Sequence, residues 1–431
     1  MKVAVIGAGV SGLATAWRLS AHADVTLYEA NDYFGGHAHT VDLTLDGVTH
    51  GVDTGFLVYN RRTYPQLVKL LQTLDVPVAA SDMSFSVQVP HEGLEWSGTN
   101  LNTVFAQRAN LLRPPFLGML ADLLRFNRLT TRLAREGHDA EMAEDIGSFL
   151  DRHRFGEAFR RWYLLPMIAC IWSCPTGQML RFPVGTLIRF CHNHGLLQVL
   201  DRPQWYTVAG GSRQYVQALL KRIPDARLRT PVLSVHRDGP GGALVRIATE
   251  QGTECYDEVV FACHSDQTLR LLADADEAER EVLGAVRYQP NRAVLHTDAT
   301  LLPSRRSAWA AWNHESGGPT DGDGAGVCLH YLINQLQPLP WERPVIVSLN
   351  PLREPDPATV HGEYQYSHPV FDLPALRAQG RLPALQGRRH AWFAGAWTRY
   401  GFHEDGLMSG NAVADELLQR IAARPSLKAA A

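Results

Sequence analysis

Gly7, Gly9 and Gly12 stand at the spacing that lets a polypeptide backbone close on a pyrophosphate. Gly7 permits a tight strand-to-helix turn, Gly9 has no side chain to hold a phosphate away, and Gly12 lets the helix pack closely on its strand. The first N–H groups of such a helix, around Val10 and Ser11, have no partner inside the helix and sit at the positive end of its dipole. Glu29 follows about twenty residues on, where a carboxylate can accept hydrogen bonds from ribose hydroxyls. The chemistry of this set is dinucleotide binding.

The surrounding elements are those the chemistry needs. Val3–Ile6 is a short, continuous, β-branched apolar run, as in a parallel strand buried on both faces. Leu13, Ala16, Trp17 and Leu19 continue in helical periodicity, and Val25–Tyr28 is a second strand that ends in Glu29. A Rossmann-type strand–helix–strand unit is therefore expected at the start of the chain.

Further glycine-bearing segments follow the first unit. Gly35-Gly36 is followed by His37, by the strand-like Thr40–Leu45, and by Gly51-Val52-Asp53-Thr54-Gly55-Phe56. Gly210-Gly211-Ser212 precedes a helix over Tyr215–Leu220. Thr230–Val235 and Leu244–Ala248 read as a hairpin around a turn at Asp238–Gly242, with another strand at Glu258–Cys263. Trp392–Gly395 is a strand ending in glycine, and Asp405-Gly406-Leu407-Met408-Ser409-Gly410 opens a last helix.

This combination, at both ends and in the middle of the chain, resembles the glutathione-reductase-type flavoproteins. Its likeness is to the branch that holds amine oxidases, protoporphyrinogen oxidases and phytoene desaturases. The resemblance implies a non-covalent FAD. Gly35, Gly36, His37, Thr54, Gly55, Phe56 and Gly395 would serve its pyrophosphate and ribityl chain. Val232 would touch the adenine. The last helix would aim its start, at Gly406, Leu407 and Met408, at the flavin pyrimidine, where a helix N-terminus stabilises the charge of reduced flavin. The sequence departs from that pattern in places. Phe34 and His37 flank the glycine doublet where arginines are usual, and Ala396 replaces an acid, leaving Asp405 to take the ribityl contact. No cysteine stands near Trp397 to attach flavin covalently.

A narrower resemblance lies in Asp53-Thr54-Gly55-Phe56-Leu57-Val58-Tyr59-Asn60 with Thr63-Tyr64-Pro65 and Leu74-Asp75-Val76. These segments are similar to bacterial flavoproteins encoded beside cyclopropane-fatty-acid-synthase-like methyltransferases. That resemblance implies hydride removal from a methylated or unsaturated acyl chain. A flavin amine oxidase is the main alternative. Many carry a lysine near the flavin, but lysine occurs here only at positions 2, 69, 221 and 428. A carotenoid- or porphyrinogen-type dehydrogenase and a non-catalytic FAD-binding protein stay open. His403 and Glu404, beside the flavin-facing helix start, are the candidate bases, with Tyr59, Trp397, Tyr400 and Phe402 expected to line the substrate cavity.

The bulk properties fit a two-domain globular chain of 431 residues with formal net charge -3, which argues against nucleic acid as a partner. The expected fold class is α/β. The FAD-binding domain takes residues 1–80, 205–265 and 385–431. Interleaved with it is a substrate domain of mixed sheet and helices over 81–204 and 266–384. Six cysteines in a chain this long suggest a reducing cytoplasm. The apolar start is read as the dinucleotide strand and not as a signal peptide. Cys170, Cys174, Cys191, His192 and His194 could suggest zinc, but their spacing does not match tight ligand pairs, and no metal is expected. Residues 101–135 interleave large apolar residues with six arginines, broken by Pro114-Pro115. Such a pair of helices could rest on the anionic inner face of a membrane, or simply turn its apolar side inward.

Overall fold

The computed structural model describes residues 1–137, 144–172, 176–196, 203–237, 245–318 and 327–423. A parallel five-stranded sheet runs in the order Asp225–Arg227, Asp24–Tyr28, Lys2–Ile6, Glu258–Phe261, Ala391–Phe393. Its central strands are apolar on both faces, and Val3, Val5, Val259 and Val260 have no exposed surface, as a sheet covered by helices on one side and a β-ribbon on the other requires. That ribbon is the antiparallel set Val232–His236, Val245–Thr249, Gly252–Tyr256. Residues 238–244, including the expected turn, lie outside the described residues. The strand at Glu258 belongs to the parallel sheet, and the third ribbon strand is Gly252–Tyr256, whose polar alternation hid it in the sequence.

A second, mixed sheet has seven strands in the order Val360–Val370, Arg287–His296, Ile346–Leu349, Cys328–Leu332, Trp312–Glu315, Phe85–Val89, Leu94–Ser97. All pairs are antiparallel except Trp312–Glu315 with Phe85–Val89. The segment 306–313 is a 3₁₀ turn at Arg306–Ala308 followed by a strand that starts only at Trp312. Asn313 explains the late start: its buried amide accepts from the Ala310 N–H at 2.9 Å and donates to the Ala310 carbonyl, closing a local turn before the strand. The apolar stretch before Pro114 is a short helix, Leu101–Val104, and a 3₁₀ turn, Arg108–Leu112. Only Pro114–Glu136 is a long helix.

Two contacts tie distant parts of the chain into this frame. The first helix, Val10–Leu19, crosses the last, His403–Ala423. At the crossing a Cβ on Gly410 would stand 2.4 Å from the Ser11 carbonyl oxygen, and one on Gly12 would overlap the Gly7 carbonyl at 1.8 Å. Thr15 closes the crossing by donating to the Ser11 and Gly410 carbonyls at 2.8 and 3.0 Å. The second contact is the buried carboxylate of Asp53. It accepts from the Ser212 N–H at 2.9 Å, the Ser212 hydroxyl at 2.7 Å, the Gln337 amide at 2.8 Å and the Thr40 hydroxyl. One side chain thus joins the 40–53 hairpin, the Gly210-Gly211 turn and the end of the short helix Ile333–Leu336 that follows a strand of the second sheet.

Gly410→Val is expected to destabilise the protein by about 3 kcal/mol or more, because the backbone oxygen it meets cannot move aside. Gly118, exposed in the long helix with nothing within 4 Å of its Cβ position, is the control: Gly118→Ala is expected to stabilise by about 0.5–1 kcal/mol. Denaturant unfolding of both variants checks the pair, and an unchanged midpoint for Gly410→Val would contradict the crossing described.

Candidate functional site

A cavity of about 700 Å³ opens along the carboxyl ends of the parallel strands, where open α/β sheets bind their ligands. One end is a cradle of bare backbone. Gly7 turns at φ +100° with its Cβ position 2.8 Å from the Ala262 carbonyl, so only glycine fits. Gly9 has nothing within 4 Å of its Cβ position, so the space before the helix is open. No side chain caps this helix and its first turn holds no acid, which leaves its N–H groups available to an anion. Gly36, at φ +59°, packs so closely on the first glycine turn that a Cβ on it would stand 3.1 Å from the Gly9 Cα. Glu29 stands in the wall, accepting from the Ala8 N–H at 2.8 Å and the Asn31 N–H at 2.9 Å. The other wall here carries Val232, Cys263, His264 and Arg270.

His37 faces this cradle with its Nε2 buried and without a hydrogen-bond partner. Burial, then the imidazole of His368 at 5.1 Å between ring centres, holds His37 well below the usual histidine range. An orphaned buried nitrogen beside an uncapped helix start and a glycine cradle is what a bound dinucleotide would complete. The residues therefore fit FAD: helix-start amides for the pyrophosphate, Glu29 for the ribose, and His37 as a further polar partner.

The structure does not bring every expected residue to the cavity. Gly7, Gly9, Val10, Ser11, Glu29, Gly35, Gly36, His37, Gly55, Phe56, Val232, Gly395, Trp397, Phe402 and His403 line it. Gly12 packs against Gly7, and Thr54 turns its hydroxyl to Tyr366, 2.6 Å away. Gly406 packs on Val10 and Ser11 at the helix crossing, and neither it nor Leu407 nor Met408 reaches the cavity wall. The last helix begins at His403, earlier than its glycine signal suggested, so Gly401, Phe402 and His403 are the residues of its start that face the cavity. Asp405 accepts from the Phe402 N–H at 3.0 Å and is otherwise enclosed, where burial raises it to about 6. It serves the helix start and does not line the cavity. Tyr59 and Tyr400 also lie off the wall; Tyr59 pairs across strands with Tyr206, their rings tilted at 6.0 Å between centres.

Neither expected base is placed for that task. The Glu404 carboxylate accepts from the Gln66 and Leu67 N–H groups at 2.8 and 3.0 Å, at the start of the helix Pro65–Thr73. It caps that helix. His403 stacks on Phe56 at 3.9 Å between centres, and its Nε2 lies 2.7 Å from the Tyr215 hydroxyl. Burial lowers His403 to about 3, so its imidazole is neutral at working pH and too weak a base to take a proton readily.

The same cavity has a second group of wall residues, Tyr64, Met83, Cys170, Ile171, His194, Trp205, Trp312 and Tyr331, in which the Tyr64 ring meets His194 and Trp205, and Trp312 meets Tyr331; this group is the chamber. Trp312 and Tyr331 come from the seven-stranded sheet, Trp205 from a separate three-stranded sheet of Tyr59–Asn60, Trp205–Val208 and Val78–Ser81, and Cys170 and Ile171 from the helix Leu165–Trp172. None carries a fixed charge. His194 is lowered to about 4 by burial, and burial raises the Cys170 thiol well above its usual range. Lys69 and Lys221 are exposed and absent from the wall. Sequence reasoning missed most of this chamber because its residues are single aromatics in strands that pair far along the chain. Alternation could have found part of the cradle's far wall: Tyr364, Tyr366 and His368 stand at every second position of one strand, and Tyr366 and His368 line the cavity.

Cys170 and Cys191 are buried free thiols and belong to no group of potential metal ligands among the described residues; Cys174 lies outside them. The one such group is Glu315, Cys328 and His330. A chain of donors accounts for it without an ion. The Asp298 N–H gives to His296 Nδ1, so neutral His296 carries its proton on Nε2 and gives to Ser348 Oγ. Ser348 then gives to His330 Nδ1, and His330 Nε2–H gives to Glu315 at 3.2 Å.

Residues 10–302 match the family model described as flavin containing amine oxidoreductase. No curated protein matches the chain in sequence. Among solved structures, the chain is similar to a CLA-producing fatty acid isomerase from P. acnes (16% identity, TM-score 0.67, 97% of this chain and 98% of the other). It is also similar to a putrescine oxidase bound to putrescine (14%, TM-score 0.68, 97% and 100%). A third likeness is to cyclohexylamine oxidase from Brevibacterium oxydans IH-35A (16%, TM-score 0.65, 97% and 99%). At these identities the likeness is one of fold.

Glu29→Ala is expected to weaken FAD binding roughly tenfold to a hundredfold, the range for losing hydrogen bonds to a charged acceptor. Fluorescence titration of the apoprotein reads this directly, and an unchanged affinity would remove Glu29 from the site.

Proposed function

We propose that this chain, which belongs to the flavin containing amine oxidoreductase family and is an FAD-dependent oxidoreductase, removes hydride from a C–H bond of a lipid-like acyl chain. The observation that carries this reading is the uncharged chamber. An ammonium substrate taken out of water needs a carboxylate or a dense set of acceptors, and this wall offers neither. An acyl chain needs only apolar contact and exclusion of water. The resemblance of Asp53–Asn60 to flavoproteins encoded beside cyclopropane-fatty-acid-synthase-like methyltransferases supports a methylated or unsaturated chain. The fold's likeness to a fatty acid isomerase supports the same substrate class.

FAD, when bound without a covalent link, supplies the two-electron acceptor. The protein's part is binding, orientation and dryness. The helix-start amides and Glu29 hold the dinucleotide along the cradle. Phe56 and His403, stacked on each other, both line the cavity. The Tyr215 hydroxyl holds the His403 ring, so this stacked pair keeps one orientation. The aromatic walls, Trp205, Trp312 and Tyr331, exclude water from the reacting C–H bond. Loss of hydride from one carbon and of a proton from its neighbour to solvent would leave a carbon–carbon double bond; the chamber holds no carboxylate for that proton, and His403 and Glu404 are not proposed as its acceptors.

Anaerobic mixing of the holoenzyme with unsaturated or methylated phospholipids and fatty acids is expected to bleach the flavin, while putrescine and monoamines leave it oxidised. Bleaching by amines alone would overturn the substrate class. Met83→Glu, at a half-buried wall position, is expected to slow reduction by acyl substrates at least about tenfold with FAD content unchanged, because it places a charge in an apolar chamber. The pH profile gives a separate check. His403 is neutral above about 3, so His403→Asn is expected to change the rate of reduction without moving any limb of the profile between pH 5 and 9. A limb near neutral pH that vanishes in this variant would contradict its burial.

A further inference from the structure

We propose that the outward face of residues 101–135 docks on an anionic phospholipid surface. The long helix Pro114–Glu136 satisfies its own packing on the inner side, where Phe116, Met119, Phe126 and Leu133 are buried against Phe149, Phe155 and Phe159. Its outer side still carries Leu117 and Leu124, and the turn leading into it carries Leu111 and Leu112. Leu112 is 88% exposed, and Leu101, at the start of the segment, is 79% exposed. Five of the eleven exposed large apolar residues among the described residues thus fall within 101–124. Leucines left outside an already packed helix contribute nothing to this core and cost free energy in water.

The charge of the same face selects the partner. Residues 101–136 hold six arginines against Asp122 and Glu136, in a chain whose net charge is -3. Arg113, Arg125 and Arg132 pair with Glu92, Asp122 and Glu136. Arg108, Arg128 and Arg135 are exposed and make no ion pair with a described residue. At 3.6 residues per turn, Leu117, Leu124, Arg128 and Arg135 fall on one stripe of the helix. Apolar side chains that enter the acyl boundary, beside arginines that meet phosphate, are the pattern of an interfacial helix. A second copy of this chain would bring like charges together on the same face, and no helix among the described residues is long and apolar enough to cross a membrane. The surface lies close to the chamber. The long helix packs on the helix Val184–Asn193, and His194, the next residue, lines the chamber and stacks on Phe190 at 3.9 Å. An enzyme docked there would face its acyl source across a single helix. The docking itself stands on the leucines and arginines and does not require the substrate reading.

The test is co-sedimentation of the holoenzyme with vesicles of phosphatidylcholine alone and of phosphatidylcholine with one part in four phosphatidylglycerol. Wild type is expected to partition onto the anionic vesicles and not the neutral ones, and to be released by salt. Arg128→Gln with Arg135→Gln is expected to lower partition roughly thirtyfold. Leu112→Ser with Leu117→Ser and Leu124→Ser is expected to abolish it, with flavin content and melting temperature kept because these side chains face outward. Equal partition onto both vesicle types, or variants that bind like wild type, would overturn the proposal. So would self-association of wild type that the leucine variant loosens. Partition is scored without turnover, so its failure would leave the acyl-substrate reading standing.

Discussion

The crossing of the first and last helices constrains everything else in this molecule. A chain that binds a dinucleotide between its two ends must bring those ends within one backbone thickness of each other. Here glycine makes that approach possible. Ser11 offers its carbonyl where Gly410 has no side chain, and Gly406 leaves room for Val10 and the Ser11 hydroxyl. Thr15 then spends its one proton on the crossing. With the helices locked, the first strand is held beside the strand at Glu258, which in turn pairs with the strand at Ala391, and their carboxyl ends open together into one cavity.

Electrostatics divides that cavity in two. The cradle carries polar groups aimed at an anion: uncapped amides, the orphaned His37 nitrogen, and Glu29 for hydroxyls. The chamber carries no fixed charge at all. Burial enforces the difference, since it holds His37, His194 and His403 neutral. Asp53, the buried carboxylate that knots the hairpin to the Gly210-Gly211 turn, is surrounded by donors and stays off the wall. Charge placed for structure is thereby kept apart from the space where a neutral C–H bond would react.

The cradle was largely legible in the sequence because its chemistry is local. Gly7 to Gly12 and Glu29 read out directly: a strand, a turn and a helix follow each other without interruption. The last helix was legible as an element but misaligned. Gly406 and Gly410 marked it, yet their absent side chains serve the crossing, and the wall is made by Gly401, Phe402 and His403. Glu404 looked like a base and Asp405 like a ribityl contact from their position, but only the tertiary structure could show that each satisfies backbone N–H groups. The chamber was the least legible part. Trp312 and Tyr331 are brought together by strand pairing and Trp205 by the packing of a separate sheet, and no local pattern relates the three. The strand at Val360–Val370 escaped notice because half of its residues are polar, although its Tyr366 and His368 complete the far wall.

Bare backbone at two distant segments is proposed to grip a complete dinucleotide, and calorimetric titration of the apoprotein with FAD and, separately, with FMN tests that grip most directly. FAD is expected to bind one per chain and at least about a hundredfold more tightly than FMN, because only FAD reaches Glu29 and the first helix start. Equal affinity for the two, or no uptake of either, would contradict the grip described here.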